Sequence, residues 1–219
     1  MKKALLCSML LALAGLASNA QAQATKPAHS AIESKIAMCI GCHGIKGYQA
    51  SFPEIHKVPM ISGQGGKYIV AALNAYKKGE RKHPTMRAIA GSLSEQDMTD
   101  IAAYYEQLGK DATPLSEQVA PAPAEVATLL TKGACASCHG ANFSKPIDGS
   151  YPKLAGQHAD FLYVALKSYK TDGNPQVGRG NAIMGGQVKQ FSNAELKAMA
   201  NYLATLPSDL HTVPQSKFR

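Results

Sequence analysis

Beyond its first two dozen residues the chain has no apolar run of about 18 residues, so no later segment is long enough to cross a bilayer as a helix. It has no block of Lys and Arg, which argues against nucleic acid as a partner. No stretch alternates apolar and polar residues in the manner of a half-buried strand. Trp is absent, and aromatic residues make up only 6% of the chain. Charged residues are also sparse at 17%, but 45% of residues are apolar, enough for a soluble globular protein. The length of 219 residues suits one large domain or two small ones. The formal charge of +8 includes Lys2 and Lys3, and without them it is +6, spread evenly over the two halves.

The N-terminus reads as a targeting segment. Lys2 and Lys3 precede an Ala/Leu-rich stretch from Ala4 to Leu16, and Ala20-Gln21-Ala22 is an A-x-A cleavage site. Residues 1–22 are therefore expected to be a signal peptide, cut after Ala22 or, at the second such site, after Ala24. The apolar stretch is too short for a permanent membrane span, although retention as an anchor or peripheral membrane association stays open. Export would place the mature chain in the periplasm of a two-membrane bacterium. Free thiol pairs are normally oxidised there, so the pairs Cys39/Cys42 and Cys135/Cys138 need an explanation. Cys7 lies within the signal.

The chain repeats itself. Cys39-Ile40-Gly41-Cys42-His43 matches Cys135-Ala136-Ser137-Cys138-His139 at an offset of 96. Pro59 to Gln64 matches Pro152 to Gln157 at 93, as do Tyr68, Leu73 and Tyr76 with Phe161, Leu166 and Tyr169. Met86, Ser94, Tyr104 and Leu108 match Met184, Ser192, Tyr202 and Leu206 at 98. Two copies of one domain are implied, with the shifts in loops: residues 25–111 and 125–211, joined by a Pro-rich linker over 112–124. Each copy shows three helical patterns: before the Cys pair, after the Gly-Gln step, and after Ser94 or Ser192, where capping-box sequences begin the last helix. The expected fold class is all-α.

Cys-x-x-Cys-His carries the chemistry. Two Cys three positions apart can reach the two vinyl groups of one haem and form thioethers, and the following His is then held beneath the ring to bind iron. A structural zinc would not explain a His after both pairs, a thioredoxin-like pair would need a βαβ context, and simple disulfides remain the competing reading. Cys39, Cys42, Cys135 and Cys138 are thus expected to tether two haem c groups, with His43 and His139 as proximal iron ligands.

The repeat sorts the methionines as distal ligands. Met60, Met98 and Met199 align with Lys153, Leu196 and Ile101, so they read as filler, and Met38 beside the tether reads as packing. Only Met86 and Met184 align with each other, each placed in a loop before the last helix, and both are expected to ligate iron. His29, His56, His83, His158 and His211 have no counterparts and default to the surface; His83 and His56 are the two to test as rival ligands. A ligating His usually donates its other N–H to a carbonyl or carboxylate. The recurring Pro59 and Pro152 offer carbonyls for that role, or merely shape turns. Tyr68/Phe161, Tyr76/Tyr169 and Tyr104/Tyr202 are expected around the haem; Gln64 and Gln157 recur without an evident role. A thioether ligand favours ferrous iron and raises the potential.

These motifs resemble class I cytochromes c, and two such domains in one exported chain resemble the periplasmic dihaem cytochrome c4 family. Met60-Ile61 departs mildly from the segment seen as Lys153-Leu154 in the second copy. The resemblance implies tandem class I cytochrome c domains packed about a pseudo-twofold axis, with haems close enough for internal electron exchange. It implies a carrier and not an enzyme, with a quinol-oxidising cytochrome bc complex as donor and a terminal oxidase as acceptor. The alternatives are an electron-transfer subunit of a periplasmic oxidoreductase, or a dihaem enzyme such as a peroxidase or thiosulfate dehydrogenase.

Overall fold

A computed structural model describes residues 29–109 and 120–214. The expected signal peptide and most of the expected linker lie outside these residues. In the first repeat the order is α1 (His29–His43), β1 (Gln49–Ala50), β2 (His56–Lys57), α2 (Gly66–Lys78), β3 (Arg81–Lys82), α3 (Pro84–Gly91) and α4 (Glu95–Gln107). In the second it is α5 (Ala124–Lys132), α6 (Ala136–His139), α7 (Ala159–Ser168), β4 (Gly178–Arg179), α8 (Ala182–Lys189) and α9 (Asn193–Thr205).

Each repeat closes around its own core. In the first, Ile36 and Ile40 of α1 and Ile69 and Leu73 of α2 pack on Met98, Ile101, Ala102 and Tyr105 of α4. In the second, Val126, Leu129 and Leu130 of α5 and Leu162 of α7 pack on Leu196, Met199, Ala200 and Leu203 of α9. These residues recur every three or four positions, so each helix buries one stripe. The last helices start where the sequence indicates: Ser94 and Asp97, and Ser192 and Glu195, form reciprocal capping boxes. Lys35 of α1 pairs with both Asp97 (2.9 Å) and Asp100 (2.6 Å) of α4.

Three expectations change. A fourth helix, α3 or α8, stands in each repeat where a loop was expected. The tether helix runs unbroken to His43 in the first repeat but is interrupted in the second between Lys132 and Ala136, where Ala134 takes a left-handed φ of 45°. Four two-residue strands form two small ribbons: β1 pairs with β2, and β3 pairs antiparallel with β4 across the two repeats, Arg81 opposite Arg179.

The repeats dock through more than that ribbon. Gly180 N–H donates to Glu80 O at 2.7 Å, and Lys82 Nζ to Asn174 O at 2.6 Å. Asp160 accepts from Lys57 N–H at 3.0 Å and pairs with its ammonium, while Lys167 pairs with Glu54 at 2.5 Å. The C-terminal segment crosses back, His211 N–H donating to Ser62 O at 3.1 Å. Lys153 Nζ binds Gly63 O at 2.7 Å and also pairs with Asp209.

Candidate haem centres

The histidine after each Cys pair makes the same contact in both repeats, although the helix leading to it is unbroken only in the first. His43 donates from Nδ1 to Pro59 O at 2.8 Å, and His139 to Pro152 O at 3.0 Å. The prolines therefore supply acceptors as well as shaping turns. The carbonyl holds the ring proton on Nδ1, which leaves the Nε2 lone pair free for a metal. Burial pushes the pKa of both imidazoles below the ordinary histidine value, so the neutral, ligating form is favoured although the carbonyl bonds act in the other direction. Burial likewise raises the Cys39 thiol to about 11 and shifts Cys135 upward, so neither is a ready free nucleophile.

The segment presenting each carbonyl turns at a glycine. Gly63 has φ +85° and Gly156 φ +68°, and a Cβ on Gly156 would lie 2.3 Å from Ser208 Cβ. Gly63 N–H donates to Tyr105 O at 2.9 Å and Gly156 N–H to Leu203 O at 2.8 Å, pinning each turn to the closing helix of its repeat.

In the second repeat, Cys135, Cys138, His139 and Met184 line one apolar cavity of about 80 Å³, with Leu130, Leu154, Leu166, Phe191, Met199 and Leu203 around it. In the first repeat Cys39 and Met86 border the same core cluster, and Tyr105 sits buried against Cys39.

Met86 and Met184 occupy not loops but the first turns of α3 and α8. The His83 ring accepts from Met86 N–H at 3.3 Å, and the Asn181 side chain from Met184 N–H at 2.9 Å. His83 is thus a helix cap with Asn181 as its counterpart, which explains it without an iron. Met98 and Met199 are buried in the cores, whereas Met38, expected to pack, is 43% exposed. His56 is not a surface residue: it is buried at the junction against Phe161, with Nδ1 donating to Glu54 O at 2.8 Å. The position of the His29 side chain lies outside what the structure describes.

Sequence reasoning passed over two arginines. Arg81 Nη1 donates to Tyr68 OH at 2.9 Å, and the guanidinium lies 4.7 Å from the Tyr76 ring centroid. Arg179 lies 5.6 Å from the Phe161 ring and 5.4 Å from that of Tyr169. The paired aromatics expected around the haem therefore cage arginines, except that Tyr202 donates to Ala120 O and Tyr104 packs on Tyr105. No carboxylate among the described residues pairs with either arginine, and Arg81 Nε is sealed from water without an acceptor. A desolvated guanidinium calls for an anion. A haem, with two propionates, an apolar ring and iron, fits these residues on all three counts. The signal was present: Arg81 and Arg179 recur at the same offset of 98 as the two methionines.

Comparison with known proteins agrees. The family described as cytochrome c matches residues 34–109 and again 123–207. Cytochrome c4 of Stutzerimonas stutzeri is 30% identical over 80% of this chain and 87% of its own length. The thiosulfate dehydrogenase electron acceptor of Thiomonas intermedia is 28% identical over 81% of this chain and 82% of its own. The solved structure of Acidithiobacillus ferrooxidans cytochrome c4 superposes with a TM-score of 0.60 at 27% identity, covering 78% of this chain and 99% of that one.

Proposed function

The chain belongs to the cytochrome c4 family and carries two covalent haem c groups, one in each of its cytochrome c domains; from that premise we propose that it shuttles single electrons in the periplasm, from a quinol-oxidising cytochrome bc complex to a terminal oxidase. Each haem supplies a one-electron ferric/ferrous couple. Cys39 and Cys42, and Cys135 and Cys138, hold the two rings. His43 and His139 give Nε2 to iron while Pro59 and Pro152 fix their orientation. Met86 and Met184 would supply the second ligands as soft thioethers, which would favour the reduced form and raise the potential. With His and Met both held by the protein as ligands, each iron would have no site left for oxygen or peroxide, and the domain would pass electrons without doing further chemistry. Arg81 and Arg179 counter the propionate charge near the junction.

The carrying observation is that Met184 lines the same cavity as Cys135, Cys138 and His139, while its repeat-mate Met86 borders the same core cluster as Cys39. Carbon monoxide added to the reduced native protein tests it: no binding is expected at either iron. Stoichiometric binding at one or both would replace the carrier with a dihaem enzyme. A second reading, electron acceptor to a thiosulfate-oxidising enzyme, is favoured by the similarity to the Thiomonas protein. Reduction of the purified protein by such an enzyme, compared with reduction by a cytochrome bc complex, separates the two.

A further inference from the structure

The recurring glutamines acquire a role at the junction. Gln157, 3% exposed, accepts at Oε1 from Met60 N–H (3.0 Å) and returns Nε2–H to Met60 O (2.9 Å). Gln64, 4% exposed, does the same to Lys153, accepting from its N–H at 2.9 Å and donating to its carbonyl at 3.1 Å. Each Oε1 takes a second N–H from its own domain, His158 to Gln157 and Gly65 to Gln64, both at 3.0 Å, so the amide orientation is fixed.

The residue gripped matters. Met60 N–H belongs to the same peptide group as Pro59 C=O, the acceptor of His43 Nδ1–H. Lys153 N–H likewise shares a peptide group with Pro152 C=O, the acceptor of His139. An unbroken line therefore runs from the imidazole of one domain, through a single peptide unit, to a buried glutamine of the other, twice. Hydrogen bonds on the two ends of one peptide polarise each other: an acceptor on the N–H makes the carbonyl oxygen more negative and a better partner for the ring proton. A stronger bond at Nδ1 makes Nε2 more basic, which stabilises ferric iron more than ferrous.

We propose that Gln157 and Gln64 are positioning residues that tune across the domain boundary, Gln157 lowering the potential of the first-domain haem and Gln64 that of the second. The proposal rests on His43 and His139 being the proximal ligands. Undocking the domains would then raise both potentials together, so the state of the junction is reported at the irons.

The test uses the intact dihaem protein with Gln157→Met and Gln64→Met, apolar side chains of similar length. Redox titration with haem signals resolved by NMR gives one midpoint per domain. Gln157→Met is expected to raise the first-domain haem by about threefold in the reduced-to-oxidised ratio, roughly 28 mV at 59 mV per decade. It should also shift the His43 Nδ1–H resonance while leaving that of His139 in place; Gln64→Met should do the reverse. Gln157→Glu keeps an oxygen facing Met60 N–H, so the first haem should lie no higher than in the native protein. A shift confined to the mutated residue's own domain, equal shifts in both haems, no shift, or a rise with Gln157→Glu would each overturn the proposal. Failure of the ligation reading would show separately, as a native spectrum lacking His/Met coordination before any variant is made.

Discussion

Replacing Gly156 by Ala asks whether the proline-to-glycine turn is required to hold the proximal acceptor. The residue has φ +68°, where a Cβ costs about 1–2 kcal/mol. The added carbon would also stand 2.3 Å from Ser208 Cβ and 3.1 Å from Leu206 O, and overpacking of this kind costs about 1–3 kcal/mol. The sum is about 2–5 kcal/mol. Gly173 is the control, since its φ of +70° is nearly the same but nothing lies within 4 Å of its would-be Cβ, leaving only the backbone cost of about 1–2 kcal/mol. Guanidinium titration of both holoproteins, followed by far-UV circular dichroism, should show Gly156→Ala the less stable by at least about 1 kcal/mol. Because the turn carries Pro152 and Gln157, the same variant should also disturb the His139 Nδ1–H resonance. Equal losses in the two variants would refute the claim that close approach, and not backbone conformation alone, fixes this turn.

Other perturbations act elsewhere. Met184→Ala should keep both thioether-linked haems by pyridine assay yet let one equivalent of carbon monoxide bind the reduced chain, with one midpoint lowered. Leu196→Ala, at a side chain with no exposure in the second core, should lower stability by about 2–5 kcal/mol in denaturant titration. Burial alone would raise the Asp160 carboxyl, but Lys57 and Phe161 N–H groups and the Lys57 ammonium hold it below its usual value. A depressed folded pKa contributes stability above the unfolded value of about 3.9 that is lost as pH falls through the folded one. Asp160→Asn should therefore flatten the acid dependence of domain docking below about pH 4, read by circular dichroism and by the distance between spin labels on the two domains.

The tether was legible because two covalent bonds to one ring edge demand contiguous residues, and contiguous residues are what a sequence displays. Met86 and Met184 stood out as candidates through recurrence alone. Their helices did not: α3 and α8 are eight residues long, one opens on Pro84 and the other carries Gly185-Gly186, so neither shows a clear period. His56 was misplaced because the surface covering it belongs to the other domain, about a hundred positions away, and no local pattern encodes that. Gln64 and Gln157 show the same limit more sharply: their recurrence was visible, but their partners lie 89 and 97 residues distant.

The two domains differ most where the repeat slips. His43 and Pro59 are 16 positions apart while His139 and Pro152 are 13 apart, and the extra length lies in the β1–β2 hairpin, which carries Glu54 and Lys57 to the opposite domain. Tyr169 and Met184 are likewise farther apart than Tyr76 and Met86, and that longer stretch brings Asn174 to Lys82. A perfectly duplicated molecule could mate equally well with itself, half against identical half, or swap halves with a neighbouring chain. Unequal insertions make the two partners lock and key, so only the pairing of unlike halves satisfies every contact.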